Sequence, residues 1–147
     1  MDREILFRGK RSDTREWVEG YVTRIKHTDD KGNIESYYFN ALDELGWVAE
    51  CAVSAETVCQ YTGLTDKNGR KIFEGDICKD GDNIVCILWN DKHQWGVEIS
   101  KTDNVLSRGL IFPLWQYDNC EENGNRQLEV IGNIFDNQEL LEADRHD

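Results

Sequence analysis

The chain has 147 residues, of which 29 are acidic and 17 are basic, so its formal net charge is −12 at pH 7. Such acidity disfavours binding to nucleic acid or to anionic lipid, because both interactions need Lys and Arg against phosphate. No apolar run approaches the ~20 residues that span a bilayer, and the first residues lack the apolar centre of a signal peptide. We therefore expect a cytoplasmic protein that binds neither nucleic acid nor membrane.

A chain of this length forms one domain or two small lobes that share a core. If there are two lobes, we place them at about residues 1–56 and 57–147. The five Trp, five Tyr and five Phe predict a packed core and argue against disorder. Five Trp are many for one monomer of this size to bury, and Trp is enriched at interfaces, so they also favour an oligomer.

The N-terminal residues predict a β-hairpin. A strand from Glu4 to Arg11 is followed by a turn at Ser12–Arg15, and a return strand runs from Trp17 to Ile25. Gly20 interrupts the return strand, and a glycine there marks a bulge or a close approach of another backbone.

A second hairpin follows, with its turn at Asp29–Asn33. The aromatic run Tyr37–Phe39 in its second strand lacks the interleaved Arg and Lys of a base-stacking platform, so it favours a core or a subunit interface. Residues Asn40–Trp47 are ambiguous: Ala41, Leu42 and Leu45 suit one helical turn that Gly46 would end. Trp47–Val53 then predicts another strand.

The stretch Thr57–Cys78 organises the rest of the chain. Apolar and polar residues alternate through its first half, which predicts a half-buried strand. Asp66–Gly69 then reverses the chain, because Asn68 tolerates left-handed φ and Gly69 adopts positive φ without steric cost. The sequence therefore predicts a tight hairpin at this point.

The Gly75-Asp76 pair predicts a bend into a barrel strand. Glycine permits the bend, and the Asp76 carboxylate can accept backbone N–H groups. A catalytic interpretation of Glu74 and Asp76 is disfavoured, because no partner acid, metal-ligand set or base lies nearby in sequence.

Short apolar strands separated by polar turns follow, which is typical of an SH3-like small barrel. These strands are Ile77–Lys79, Ile84–Trp89, Trp95–Ile99, Leu110–Trp115 and Leu128–Phe135. Asp136 and Glu139 then have capping-box spacing for a short acidic helix through Glu142. The predicted fold is mainly β: N-terminal β-hairpins packed with an SH3-like small barrel and a short C-terminal helix.

The sequence holds no recognisable catalytic or metal-binding motif. The cysteines, Cys51, Cys59, Cys78, Cys86 and Cys120, form no C-x-x-C pair, so we expect buried free thiols, no metal and no cofactor. The histidines, His27, His93 and His146, are isolated from any nucleophile motif. Catalytic triads assemble from distant positions, but nothing in the sequence favours one, and we expect no enzymatic activity.

Three segments together resemble the YopX family, small uncharacterised proteins encoded by bacteriophages and prophages. They are REILFRGKRSDTREWVEGYV at the start, QYTGLTDKNGRKIFEGDI in the centre and EVIGNIFDNQELL near the end. The motif residues are Gln60, Tyr61, Thr62, Gly63, Leu64, Asp66, Asn68, Gly69, Glu74, Gly75, Asp76, Ile131, Gly132 and Asn133. The chain departs from the family at Ala55, where Pro is usual, and at Cys59, where Gly is usual; Gln138 is commonly Pro.

The resemblance implies a mainly β protein of the bacterial host cytoplasm that self-associates and has no established enzymatic activity. We therefore expect a non-catalytic binding or interaction protein that forms a homo-oligomer and takes no cofactor. The alternative is an acidic DNA mimic or inhibitor that engages a basic host or phage nucleic-acid-binding protein. A third hypothesis is an enzyme or metal-dependent regulator with an unrecognised site.

Overall fold

The computed structural model describes residues 5–42, 48–90, 94–102, 106, 108–114 and 128–142. The chain divides into two compact units, Met1–Tyr61 and Thr62–Asp147. Regular structure within the described residues is nearly all antiparallel β-strand, which confirms the predicted mainly β fold. None of the helices in these ranges has the length and apolar character needed to cross a membrane.

The strands of the first unit belong to a six-stranded sheet with hydrogen-bonded order β4-β3-β2-β1-β5-β6, in which β5 continues past Tyr61 and β6 is Lys71–Phe73. The first five strands are β1 (Phe7–Lys10), β2 (Trp17–His27), β3 (Ile34–Leu42), β4 (Val48–Ser54) and β5 (Cys59–Thr65). A single 3₁₀ turn, Ala55–Thr57, joins β4 to β5, and Ala55 takes its first helical position. Proline suits a first helical position, so the Pro that the resemblance implies at this position is compatible with the backbone here.

Two glycines allow the strands of the first unit to come close. A methyl group at Gly20 would clash with the backbone oxygen of Asn40, and one at Gly9 would clash with the Val53 side chain. The predicted close backbone approach at Gly20 is therefore confirmed. The residue Ser12, after the end of β1, also contacts β4, because its N–H donates to Ala52 O at 3.0 Å.

The second unit contains a five-stranded antiparallel sheet with order β10-β9-β8-β7-β11. Its strands are β7 (Asp76–Asp80), β8 (Asn83–Asn90), β9 (Gln94–Lys101), β10 (Ile111–Pro113) and β11 (Glu129–Asn133), and β6 (Lys71–Phe73) neighbours the later part of β5. A buried cluster packs on one side of this sheet: Ile72, Cys78, Val85, Ile87, Trp95, Val97, Ile99, Leu114, Leu128 and Val130. Among the described residues β10 and β11 do not pair, so the sheet is not closed and an SH3-like barrel is not confirmed.

The structure differs from the sequence-based expectation in two local details, the ambiguous segment after β3 and the cap of the short C-terminal helix. Asn40–Leu42 continues β3 and pairs with β4, so pairing with a neighbouring strand overrides the weak helical preference of these residues. The rest of that predicted helical turn, 43–47, lies outside the described residues.

The C-terminal helix is a single 3₁₀ turn, Gln138–Leu141, preceded by Asn137 and not capped by Asp136. The Asn137 side chain bonds to the preceding turn instead, where its Oδ1 accepts the N–H of Asn133 at 3.2 Å.

Candidate functional site

The carboxylate of Asp66 fixes the central hairpin turn of the second unit. Asp66 is only 2% exposed. Its Oδ1 accepts the backbone N–H groups of Asn68 at 2.9 Å and Arg70 at 2.8 Å. Its Oδ2 accepts the N–H of Val130 in β11 at 2.9 Å. One side chain thus joins the turn to the last strand of the unit.

The turn itself lies at the predicted position. Asp66 N–H donates to Arg70 O at 2.7 Å, and Gly69 N–H donates to Asp66 O at 3.0 Å. Gly69 has φ 82°, whereas Arg15 is the only non-glycine with positive φ among the described residues. The predicted positive φ of Gly69 is therefore confirmed, and the turn does not use the left-handed φ that Asn68 tolerates. Because the Asp66 carboxylate binds the Asn68 N–H directly, a turn with only Gly69 left-handed satisfies the backbone.

The Gly75-Asp76 bend is built in the same way. Gly75 has φ 83°, and its backbone bonds to Ile87 and Ile134 at 2.8 and 2.9 Å. Asp76 is 1% exposed, and its Oδ2 accepts the Phe73 N–H at 2.8 Å. The predicted bend at Gly75 and the predicted acceptance of a backbone N–H by Asp76 are thus both confirmed. Glu74 is half-buried beside them.

Other family-motif polar groups also bond to nearby backbone. Thr62 Oγ1 donates to Ile72 O at 2.7 Å and accepts the Leu64 N–H at 3.2 Å. Asn133 Oδ1 accepts the N–H groups of Phe135 and Asp136, both at 2.9 Å. These side chains act locally on the backbone of their own unit.

The remaining motif residues occupy strand and turn positions. Gln60 lies opposite Phe7 in the first unit, and the buried Tyr61 donates its N–H to Leu6 O at 2.8 Å. In the second unit, Gly63 has φ 88°, Ile131 is half-buried in β11, and Gly132 lies against the Asn137 side chain. The motif is therefore brought together as a set of backbone contacts rather than around a cleft.

The thiols of the described residues are poorly suited to nucleophilic chemistry. Cys51, Cys59, Cys78 and Cys86 are free, and Cys59 and Cys78 are buried. Burial raises the pKa of the Cys86 thiol to about 11, with Glu98 and Asp76 adding to the effect. Burial likewise raises the pKa of Cys78, reinforced by Asp76 and Asp66. Thiols with raised pKa hold little thiolate at neutral pH.

No group of three or more His, Cys, Asp or Glu residues within the described ranges is arranged to hold a metal ion. His27 is exposed at the end of β2. Cys120, His93 and His146 lie outside the described residues, as do Trp47 and Trp115. Freedom from metal and cofactor therefore stays a prediction.

A feature that sequence reasoning missed is the open outer half of β2. β1 pairs with β2 only between Trp17 and Gly20. From Tyr21 to His27, β2 pairs with β3, and none of the described residues pairs with its other edge. We call this segment, Tyr21–His27, the open edge. Five consecutive residues of it, Thr23–His27, are exposed, so side chains on both faces reach solvent.

Ion pairs and ring contacts hold the side chains around the open edge. Arg24 lies over the Tyr38 ring with its guanidinium carbon 3.9 Å from the centroid, and it bonds to Glu50 at 2.7 Å. Lys26 pairs with Glu35 at 3.0 Å. The hydrogen bond to Arg24 lowers the pKa of Glu50, and the bond to Glu35 raises the pKa of Lys26. All four side chains are exposed enough for solvent to weaken these pairs.

The aromatic residues divide between core and surface. Within the predicted run, Phe39 is fully buried while Tyr37 and Tyr38 are half-buried. Trp17 is contacted by Arg8 and Lys10, whose charged groups lie 4.9 and 5.4 Å from a ring centroid. Arg8 and Lys10 are two positions apart in a strand, so their side chains share one face. This spacing is the sequence pattern from which their contacts with Trp17 could have been predicted.

In the second unit, Trp95 is buried and Trp89 is 53% exposed, and their rings meet edge to face at 5.0 Å. Of the three tryptophans that the structure describes, Trp89 alone is more than half exposed. An interface role for the tryptophans thus stays a prediction.

The fold and the site define an all-β protein whose sequence motif acts as internal scaffolding. The sequence model of the YopX family, described as YopX protein, matches residues 6–142. The match covers nearly the whole chain, so the chain belongs to the YopX family, as the resemblance of its three segments predicted. No curated protein matches the chain significantly.

Proposed function

We propose that the chain is a non-catalytic interaction protein of phage or prophage origin that acts in the cytoplasm of the bacterial host. The observation that carries this proposal is the open edge, seven residues with one side of the backbone unpaired by any described residue. An unpaired strand edge is a template for pairing with another chain. The motif residues support the non-catalytic part of the proposal indirectly, because their polar groups bond to the chain's own backbone.

The side chains of the open edge suit an interface. Tyr21 is 55% exposed and Ile25 is 43% exposed. Aromatic residues and Arg are enriched at protein interfaces, and Tyr21, Arg24 and Tyr38 supply that chemistry here.

The test compares two variants of a tagged full-length chain in host cells that carry the phage. We expect the unmodified chain to capture a partner at constant stoichiometry, and Ile25→Lys to lose it, because a lysine on an edge blocks strand pairing. Leu110→Lys is the matched control, since Leu110 is 47% exposed and belongs to the second unit. Equal capture by all three proteins would overturn the proposal.

Self-association belongs to the same proposal. Repulsion between chains of net charge −12 opposes it, but the Debye length is only about 8 Å at physiological salt, and charged groups can stay at an interface rim. Sedimentation at micromolar concentration and physiological salt should give a species well above 17.1 kDa. A monomer boundary across a wide concentration range would contradict the oligomer.

A second candidate function is acidic mimicry of DNA. The charge distribution favours it, because residues 62–147 carry 17 acidic and 9 basic residues, against 12 and 8 in residues 1–61. Under this hypothesis the second unit binds a basic protein. Binding to a lysine-rich peptide that duplex DNA displaces competitively would support it, and binding to the same peptide without DNA competition would contradict it.

The SH3-like barrel also stays a proposal for residues 57–147. It requires that β10 and β11, or segments between them, complete the sheet. An experimental structure with both strands left at open edges would overturn it.

A further inference from the structure

The central turn presents an Asn-Gly pair at the surface. Asn68 and Gly69 are both exposed, and within the described part of the chain the Asn68 side chain forms no hydrogen bond. A methyl group placed on Gly69 would meet no atom within 4 Å, so the space beside its backbone is open. Glycine carries no side chain that could obstruct attack on the preceding side chain. The pair therefore has the chemistry and the access for reaction with itself.

The reaction open to this pair is deamidation through a cyclic imide, and asparagine is a thermolabile residue for this reason. The backbone nitrogen of Gly69 loses its proton to solvent and bonds to the side-chain carbonyl carbon of Asn68. The bond from that carbon to the amide nitrogen breaks, and the nitrogen takes up a proton and leaves as ammonia. Water then opens the five-membered ring at either carbonyl, giving aspartate or isoaspartate at position 68. Water is the only co-reactant.

The turn restrains the nitrogen that must react. Gly69 N–H donates to Asp66 O at 3.0 Å, and this bond must break before the nitrogen can attack. The Asp66 carboxylate also binds the N–H groups on either side, of Asn68 at 2.9 Å and of Arg70 at 2.8 Å. Local opening of the turn thus precedes the reaction, and the free energy of opening sets its rate.

The reaction also removes contacts on which the turn depends. The imide nitrogen carries no hydrogen, so the bond from Gly69 to Asp66 O is lost in the intermediate. Isoaspartate adds one carbon to the main chain between the N–H groups of Asn68 and Arg70, which a single oxygen of Asp66 binds. The other oxygen of Asp66 accepts the N–H of Val130 in β11 at 2.9 Å. A change of main-chain length at position 68 therefore reaches the last strand of the unit.

We propose that Asn68 is a modification site at which the folded chain deamidates spontaneously. The Asp66 carboxylate slows the reaction by holding the turn closed, and isoaspartate at position 68 loosens the join between the turn and β11. The inference is independent of the proposed interaction function, because it concerns covalent chemistry within the second unit.

The experiment follows the full-length chain at mildly alkaline pH, below its melting temperature, in buffer and in urea that unfolds it. Mass spectrometry of chymotryptic peptides, with electron-transfer fragmentation, locates the mass gain and separates aspartate from isoaspartate. We expect conversion at Asn68 to be about tenfold to a hundredfold slower in the folded chain, since about 1.4 kcal/mol of opening free energy corresponds to a factor of ten. Asn68→Gln should not convert on this timescale, because its longer side chain would have to close a six-membered ring.

Removal of the restraining carboxylate gives the complementary test. Asp66→Ala should raise the folded-state rate toward the rate in urea. Asp82→Ala is the matched control, since Asp82 is an exposed carboxylate in another turn of the second unit, and it should leave the rate unchanged. If Asp66→Ala fails to fold, the comparison of folded and urea-unfolded unmodified chain still decides the result.

The effect on the fold is measured by urea denaturation. Chain with isoaspartate at position 68 should unfold at a lower urea concentration than unconverted chain. Asn68→Asp, which changes the charge without lengthening the main chain, should retain most of the stability. Equal rates in folded and unfolded chain would overturn the proposal. So would a folded chain that stays unconverted far beyond the expected range, or an isoaspartate form as stable as the unconverted chain.

Discussion

The charged side chain at the Asp66 turn is buried, whereas the charged side chains at the open edge of β2 are exposed. Asp66 is buried and accepts three backbone N–H groups within the second unit. Arg24 and Lys26, in the first unit, lie on an exposed strand and pair with carboxylates that solvent also reaches. Buried hydrogen bonds to a carboxylate are costly to break, whereas exposed ion pairs exchange readily. The motif carboxylate thus acts on the backbone of its own unit, whereas the charged side chains of the exposed strand contact one another at the surface.

The largest expected effect comes from removing the buried carboxylate. Asp66→Ala leaves three N–H groups without their acceptor and should lower the free energy of unfolding by about 4 kcal/mol, and Asp66→Asn by about 2 kcal/mol. Urea denaturation followed by tryptophan fluorescence measures the change. Asp82→Ala, in an exposed turn, should stay within about 0.5 kcal/mol. A comparable loss at both positions would refute the scaffold role.

A smaller effect is expected where β2 leaves β1. Gly20→Ala places a methyl group against the backbone of Asn40, and overpacking of this kind costs about 2 kcal/mol. Ile25→Ala, five residues along the same strand but in the exposed half, should cost about 0.5 kcal/mol or less. Thermal unfolding of both variants sharpens the contrast between covered and open halves of one strand. Equal losses would mean that the outer half is covered in solution.

Trp89 tests an intermediate degree of burial. It is half-exposed and meets Trp95 edge to face, so Trp89→Ala should lower the free energy of unfolding by about 1 kcal/mol through loss of the ring contact. Urea denaturation followed by far-UV circular dichroism would measure it. A loss as large as that of Asp66→Ala would show that Trp89 is buried in an assembled form.

The smallest effect belongs to the ion pair at the open edge. The bond to Arg24 lowers the pKa of Glu50 below its ordinary value of 4.5, so the pair stabilises the fold above pH 4.5 and loses that contribution as pH falls through the lowered value. Glu50→Gln should remove this small acid dependence of the melting temperature. Salt at 0.15 M should remove most of it in the unmodified chain. A melting temperature that drops strongly in Glu50→Gln at neutral pH would contradict an exchangeable pair.

The positions of the hairpins were predictable because turn residues act locally. Asp29–Asn33, Asp66–Gly69 and Gly75-Asp76 all mark reversals or bends through their own φ preferences and side-chain acceptors. The part of Asp66 in the central turn was not predictable in the same way, because its carboxylate binds the N–H groups of Asn68 and Arg70 in addition to the local φ preferences. The helical turn that suits Asn40–Leu42 does not form, since a long ladder with β4 outweighs the local preference.

The candidate site was less predictable than the fold. Alternation of polar and apolar residues located the strands, but it does not show which strands are longer than the strands beside them. β2 exceeds β1 by seven residues, and only the observed register reveals that its outer half lacks a second neighbour among the described residues. The acidic composition likewise gave no indication that Arg24 and Lys26 lie on one face of β2, because a net charge is a sum over the whole chain.

By itself the sequence determined the mainly β character, the main turns and the membership of the YopX family. These properties depend on residue patterns within about twenty positions, where backbone preference and side-chain alternation act directly. The tertiary structure alone decided that Asp66 reaches Val130, sixty-four residues away, that Gly20 faces the backbone of Asn40 and that Arg24 covers Tyr38. Those contacts arise from strand register and chain reversal, which bring together residues that no local pattern connects.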